Sequence, residues 1–431
     1  MVLGIVAEYN PFHNGHLYHL RASRDLSGAG CVVAVMSGNF TQRGEPAIVD
    51  KWARTEMALM CGADLVIELP CVYAMSSAEY FAFGAVKILD SLGVVDTISF
   101  GSECGGIEKL QKIAGILADE PDDYRRLLKS NLSRGLSFPT ARQEALSSYL
   151  SAAAGPDGSD VAEDSDGPDG FADLLKSPNN ILGIEYLKAL RRLKSRIAPL
   201  TVRRSGSGYN SPELSGEFSS AAAIRNIISK YKWKDAKEML KGALPGIVID
   251  ILGREFGVGR GPVLPSDFSA IILSSLRRMS AEEVSALPFM EQGLENRFKL
   301  AAERSGSYEE LLEAVSTKRY AGTRIQRILF SLLTGLKNDN FNEFNKSGGP
   351  SYIRILGFNR AGRALLPSIK AKASLPVITK AADFKNSAIP GVASMLGIEA
   401  AASDQYVLGF KKPGLRKSGG EFVRGIVCPE P

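Results

Sequence analysis

Histidine is scarce in this chain: three in 431 residues, and all of them, His13, His16 and His19, fall inside Leu3 to Leu20. Chemistry that needs imidazoles scattered along the chain is therefore excluded. The five cysteines, Cys31, Cys61, Cys71, Cys104 and Cys428, have neither CxxC spacing nor a histidine partner nearby. That argues against a structural zinc site and against a disulfide framework, and makes a reducing cytoplasm the expected compartment. No run of about 18 uninterrupted apolar residues is present, and no basic n-region precedes the first apolar stretch, so neither a membrane span nor a signal peptide is expected. Charge of one sign is also lacking. The 52 basic and 47 acidic residues leave a net charge of +5 and a pI near 8.8, compatible with an anionic partner without requiring one. With 45 % hydrophobic and 23 % charged residues, the chain has the composition of a soluble globular protein of two or three domains.

What is present is concentrated at the start, in LGIVAEYNPFHNGHLYHL, residues 3 to 20. The apolar run Leu3 to Ala7 reads as a buried strand, Asn10 and Pro11 break it, and from Asn14 the pattern turns helical through Leu17 and Leu20. His13, Gly15 and His16 thus sit on a strand-to-helix turn, with Asn14 as an available N-cap. A helix N-terminus has unpaired N–H groups and about half a positive charge, which suits phosphate. Gly15 permits close backbone approach, and both imidazoles can donate to phosphoryl oxygens. His19 reads as a residue of the helix surface.

The first hundred residues then alternate strand and helix. GCVVAVMS (Gly30 to Ser37) is a second strand, followed by the loop GNFTQRGE (Gly38 to Glu45) and a helix from Ala47 to Cys61. DLVIEL (Asp64 to Leu69) is a third strand, Ser77 to Leu92 a helix, and VVDTISFG (Val94 to Gly101) a fourth strand. Short apolar runs separated by helices describe an α/β fold: a Rossmann-like parallel sheet covered on both faces. Ligands of such sheets sit at the carboxyl ends of the strands, so His13, His16, the GNFTQRGE loop and Gly101 are expected on one edge.

From about 151 to 170 the composition shifts to Ala, Gly, Ser, Pro and Asp, which reads as a disordered acidic spacer; its spacing does not fit a calcium loop. SPNNILGIEYLKAL resumes a helix opened by Pro178, Asn179 and Asn180, and APLTVRRSGSGYN is a strand ending in a loop with Arg203, Arg204 and Gly206. In GEFSSAAAIRNII, Ser219 or Ser220 can cap a helix that carries Arg225, bringing hydroxyl, free N–H groups and guanidinium toward one anion.

A strand–HxGH–helix unit with a late SSxxxIR is the two-part signature of the nucleotidyltransferase superfamily of pantetheine-phosphate and nicotinamide-mononucleotide adenylyltransferases and class I aminoacyl-tRNA synthetases. GIVAEYNPFHNGHLYHL, MSGNFTQRGEPAIVDKWART, GADLVIELP, FGSE and SPNNILGIEYLKAL more closely resemble the bacterial tRNA(Met) cytidine acetate ligase family, strongly over residues 1 to 230 and more loosely beyond. The resemblance implies activation of acetate by ATP to acetyl-adenylate and transfer of the acetyl group to the wobble cytidine of elongator tRNA(Met). Carried over, the ATP-binding positions are Ala7, Glu8, Tyr9, Asn10, Pro11, Phe12, His13, Asn14, Gly15, His16 and Leu20, then Gly101, Asn179 or Asn180, and Arg204. Ser220 and Arg225 of the SSxxxIR motif join them. His13 and His16 are the expected catalytic pair, stabilising charge as acetate attacks the α-phosphate. Acetate is already ionised at neutral pH, so neither needs to take a proton. Magnesium is expected with the triphosphate, without a dedicated protein ligand.

The expected organisation is a catalytic domain over 1–230 with the insertion at 151–170, a helical domain over 231–345 and a basic C-terminal region over 346–431. SAEEVSAL, ENRFKLAAERS, YEELLEAVS and TRIQRILFSLL are the amphipathic helices of the second part. From Tyr352 onward twelve Lys and Arg stand against five acids, and Lys411, Lys412, Arg416 and Lys417 are candidate tRNA contacts. TKRYAGTRIQR (Thr317 to Arg327) is a second basic cluster, read equally as a solvated helix face. The alternative functions are a small-molecule adenylyltransferase acting on a phosphorylated metabolite, which has no need of the basic C-terminal surface, and a non-catalytic tRNA-binding protein, against which the intact HNGH speaks.

Overall fold

A computed structural model describes residues 1–153, 174–204 and 218–429. The acidic spacer expected at 151–170 lies almost wholly outside the described residues, as does Gly206. Among the described residues, seven strands form one sheet in the order β5-β4-β1-β2-β3-β6-β7. The first five, β1 (Val2–Ala7), β2 (Cys31–Ser37), β3 (Leu65–Leu69), β4 (Thr97–Ser102) and β5 (Ala198–Arg203), run parallel.

Side chains on a strand alternate between faces, and β2 shows how both faces are used. Val33 and Val35 join one apolar core, while Val32, Ala34 and Met36 join a second on the opposite side. Helix α1 (Asn14–Ser27) follows β1 and ends at Gly28, whose φ of 64° is the left-handed geometry that a helix C-cap favours. Helix α2 occupies Lys51–Met60, capped by Asp50 through its bond from the Ala53 N–H. It starts later than Ala47 because residues 46 to 50 run across the sheet edge instead, with Ile48 N–H donating to Asn10 Oδ1 at 2.8 Å.

Beyond residue 230 helices dominate, among them Trp233–Leu240, Gly246–Val258, Ser269–Arg278, Leu294–Arg304, Tyr308–Val315 and Gly322–Thr334. The basic C-terminal part does more than supply surface charge. Its strand β6 (Ile353–Phe358) pairs antiparallel with β3, and β7 (Val377–Ile378) extends the sheet beside it.

A buried ionic cluster holds that addition in place. Lys51 Nζ lies 2.5 Å from Glu68, 2.8 Å from Glu421 and 3.4 Å from Glu399, and Arg354 lies 2.5 Å from Glu421. Ser403 donates to Glu421 at 2.7 Å, and the Cys71 N–H donates to Glu399 at 2.7 Å. Three carboxyls face two cations, so burial and then Glu399 push Glu68 well above the usual carboxylate range. Removing one partner of a buried cluster strands the others without compensation. Lys51→Met is therefore expected to lower the free energy of unfolding by about 3–5 kcal/mol, read from urea denaturation. A loss below about 1 kcal/mol would show that the carboxyls pack as neutral acids without it.

Candidate functional site

The carboxyl ends of β1, β4 and β5 open into a cavity of about 650 Å³. Its lining combines the first turn of the chain with the GNFTQRGE loop, the start of the Pro178–Leu193 helix, and the Ala221–Lys230 helix. His13, and not Asn14, is the N-cap of α1: its Nδ1 accepts from the Gly15 N–H at 3.0 Å. His16 Nδ1 in turn accepts from the His13 N–H at 3.3 Å, and the rings stack with centroids 3.7 Å apart. A side chain at Gly15 would put its Cβ 2.9 Å from His13 Cε1, so only glycine lets the imidazole fold onto this backbone. Asn14 instead spends its amide on the Gly242 carbonyl at 2.9 Å.

These bonds fix the tautomers. A neutral imidazole has one N–H and one acceptor nitrogen; with Nδ1 accepting in both rings, both Nε2 atoms carry the proton and donate. Burial, followed by Arg204 and Arg225, lowers His13 to about 3, and burial with His13 and Arg204 lowers His16 well below its ordinary value. The pair is therefore neutral at pH 7 and offers two N–H donors.

The late motif reaches this turn. Ser220, not Ser219, caps its helix by accepting from the Ala223 N–H at 3.1 Å, and Arg225 donates to the Asn10 carbonyl at 2.9 Å while facing Glu45 at 3.5 Å. On the far side Glu103 accepts from the Asn179 amide at 2.7 Å, and Arg204 donates to Asn179 Oδ1 at 3.0 Å.

Of the expected contacts, Ala7, Glu8, Tyr9, Asn10, His13, Gly15, His16, Gly101, Asn179, Arg204, Ser220 and Arg225 line the cavity. Asn180 is separated from its neighbour: it is buried, and its Oδ1 accepts from the Glu103 and Cys104 N–H groups. Pro11, Phe12, Asn14 and Leu20 are not on the cavity wall. Phe12 and Leu20 are buried in the apolar core instead. His19 departs from the surface position expected of it. It lines the cavity, bonds Ser99 Oγ at 3.3 Å, and is lowered to about 4 by burial and Arg204. Its spacing of three from His16 was the available signal, since such residues share a helix face. Thr323, from the TRIQR segment of the helical part, also reaches the cavity, and no local pattern announces that.

Lys411, Lys412, Arg416 and Lys417 are exposed on the C-terminal part. Lys411 pairs with Asp267 at 2.5 Å, and Arg416 donates to the Phe410 carbonyl.

A family model described as HIGH Nucleotidyl Transferase matches residues 1–419. The chain is 48 % identical over 426 residues to a tRNA(Met) cytidine acetate ligase of Acetivibrio thermocellus, covering 99 % of both chains. Against the counterpart from Caldanaerobacter subterraneus it is 47 % identical, covering 96 % of this chain and 97 % of the other. Two crystal structures of Thermotoga maritima TmcAL superpose over 99 % of each chain at 37 % identity: an apo form with a TM-score of 0.91, and one bound with alpha-thio ATP at 0.89. The HNGH turn, the SSxxxIR helix and the cavity between them, joined to full-length likeness at this level, mean that the chain belongs to the HIGH nucleotidyl transferases and, within them, to the tRNA(Met) cytidine acetate ligase family.

Proposed function

We propose that this protein activates acetate with ATP and transfers the acetyl group to the wobble cytidine of elongator tRNA(Met), giving N-acetylcytidine, and that it works in the cytoplasm. The observation that carries the reading is the pair of neutral histidines whose Nε2–H donors are preset by the cap of α1 at the mouth of a nucleotide-sized cavity. Attack of an acetate oxygen on the α-phosphate forms the P–O bond of acetyl-adenylate and expels pyrophosphate. Charge grows on phosphoryl oxygens during that step, and fixed donors stabilise it without reorganising. Arg225, at the first turns of its helix, and Arg204 supply positive charge to the same space, and Asn179, which lines the cavity where Asn180 does not, supports assigning the nucleotide contact of that pair to Asn179.

Among the described residues no group of three or more His, Cys, Asp or Glu is placed to hold a metal ion. Magnesium is expected as the counter-ion that ATP brings with it. No helix among the described residues is long and apolar enough to cross a membrane.

His16→Ala is expected to reduce acetate-dependent pyrophosphate exchange on the order of a hundredfold, with circular dichroism unchanged. Near-normal exchange in the folded variant would remove His16 from the chemistry.

The basic C-terminal surface separates the ligase from an adenylyltransferase of small metabolites. Lys412 and Lys417 form no ion pair among the described residues, in contrast to Lys411. Changing those two to glutamine is expected to lower the slope of log affinity for tRNA against log salt by close to one unit each, while exchange proceeds. An unaltered slope would clear these lysines, and absence of tRNA binding by the parent protein would favour the metabolite enzyme.

A further inference from the structure

Acylating an amine releases a proton, and a basic group in the cavity would speed the step by receiving it. The paired histidines are not available. With Nδ1 of each accepting from a backbone N–H, a neutral ring presents only its Nε2–H to the cavity and has no free lone pair. His19 has its Nε2 engaged with Ser99.

Among the described residues lining the cavity, Glu8 is the one carboxylate. It is held at two points, and the backbone that follows it is strained. Its Oε1 accepts from the Gln42 N–H at 2.6 Å, its carbonyl accepts from Arg54 Nη1 at 2.7 Å, and Tyr9 after it has a φ of 48°. A bulky residue in that left-handed region is strained, which ordinarily persists only where the surroundings impose it. Oε2 has no hydrogen bond among the described residues.

We propose that Glu8 is the catalytic base of the acetyl-transfer step, accepting a hydrogen bond from the exocyclic amino group of the cytidine and then one of its protons. The inference rests on the acetate ligase reading. The amino nitrogen forms a bond to the acetyl carbonyl carbon, the bond from that carbon to the AMP oxygen breaks with its electron pair leaving on AMP, and the displaced proton ends on the Glu8 carboxylate. A carboxylate also reads the base, because cytosine presents an N–H donor where a pyrimidine with a carbonyl there presents an acceptor.

Burial raises the proton affinity of Glu8 above that of an ordinary carboxylate. The Gln42 N–H, Arg225 from the Ala221–Lys230 helix and Arg43 from the loop pull it back, and Glu45 pushes it up. A base is most effective when its pKa approaches the working pH. Since the deprotonated form acts, the transfer rate should rise with pH through a midpoint above the ordinary carboxylate range and then level off.

The test uses the full-length protein with ATP, acetate and tRNA(Met), measuring pyrophosphate exchange and single-turnover acetyl transfer separately. Glu8→Gln keeps an oxygen for the Gln42 N–H, and an unchanged thermal unfolding midpoint serves as the check that the variant is folded. Transfer is expected to fall on the order of a hundredfold, at least ten times more than exchange, with its pH rise lost. Glu8→Asp should recover part of the transfer and keep the rise, which loss of packing alone would not produce. Equal losses in the two reactions, undiminished transfer, or an aspartate variant no better than the glutamine one would overturn the proposal. Absence of acetate-dependent exchange in the parent would instead count against the ligase reading itself.

Discussion

The edge of the sheet on which everything else depends is held by one buried guanidinium. Parallel strands that end side by side leave carbonyl oxygens pointing past the last rung of the ladder, and in a covered sheet these need partners. Arg54, wholly inaccessible, gives Nη1 to the carbonyls of Glu8 and Ser37 at 2.7 and 3.0 Å, Nη2 to that of Gly38, and Nε to that of Val49 at 3.2 Å. One side chain of α2 thereby fixes where β1 and β2 stop and where the two loops that form the cavity begin. Its planar fork of five donors suits several carbonyls at once, which a lysine ammonium on a flexible stem would not reproduce.

The loop after β2 is shaped from both sides by segments remote in sequence. A Cβ at Gly38 would lie 2.9 Å from carboxylate oxygens of Glu68 and Glu399, and one at Gly44, whose φ is 74°, would lie 2.3 Å from the backbone nitrogen of Arg327. Both glycines admit close approach, the first to the buried ionic cluster and the second to the Gly322–Thr334 helix. The helical part and the C-terminal part therefore press directly on the loop that carries Gln42 and Arg43 into the cavity.

That arrangement explains what was readable from the residues alone. The strand–turn–helix at His13 to His16, the alternation of buried strands and helices up to Gly101, and the SSxxxIR helix are local patterns, and each appears where its periodicity puts it save for the later start of α2. Asn14 would be the better N-cap by propensity, yet its amide is drawn to Gly242, a contact visible only in three dimensions. Lys51, Glu68, Glu399 and Glu421 look like four ordinary charged residues until the sheet, α2 and the Val392–Tyr406 helix bring them together. For the same reason residues 346–431, read by charge as a basic surface, conceal two short strands that finish the catalytic sheet. Asn179 and Asn180 could not be told apart as letters; only the helix start they share, with Glu103 opposite, turns one toward the cavity and the other into the protein.

The cap of α1 also bears on how two imidazoles could serve an anion without becoming cations. A triphosphate entering the cavity would favour protonated rings, since opposite charge nearby raises the pKa of histidine. Here the added proton could go only to Nδ1, and there it would break the bond from a backbone N–H in the first turn of the helix. Protonation would thus cost a helix cap, ordinarily about 1 kcal/mol, on top of the burial and the neighbouring guanidinium groups that already lower both rings. Arg204, proposed to draw the nucleotide in, thus adds to burial in keeping both histidines neutral, and the helix start decides which nitrogen carries the proton. The cavity obtains hydrogen-bond donors whose direction is set by the backbone before any ligand arrives.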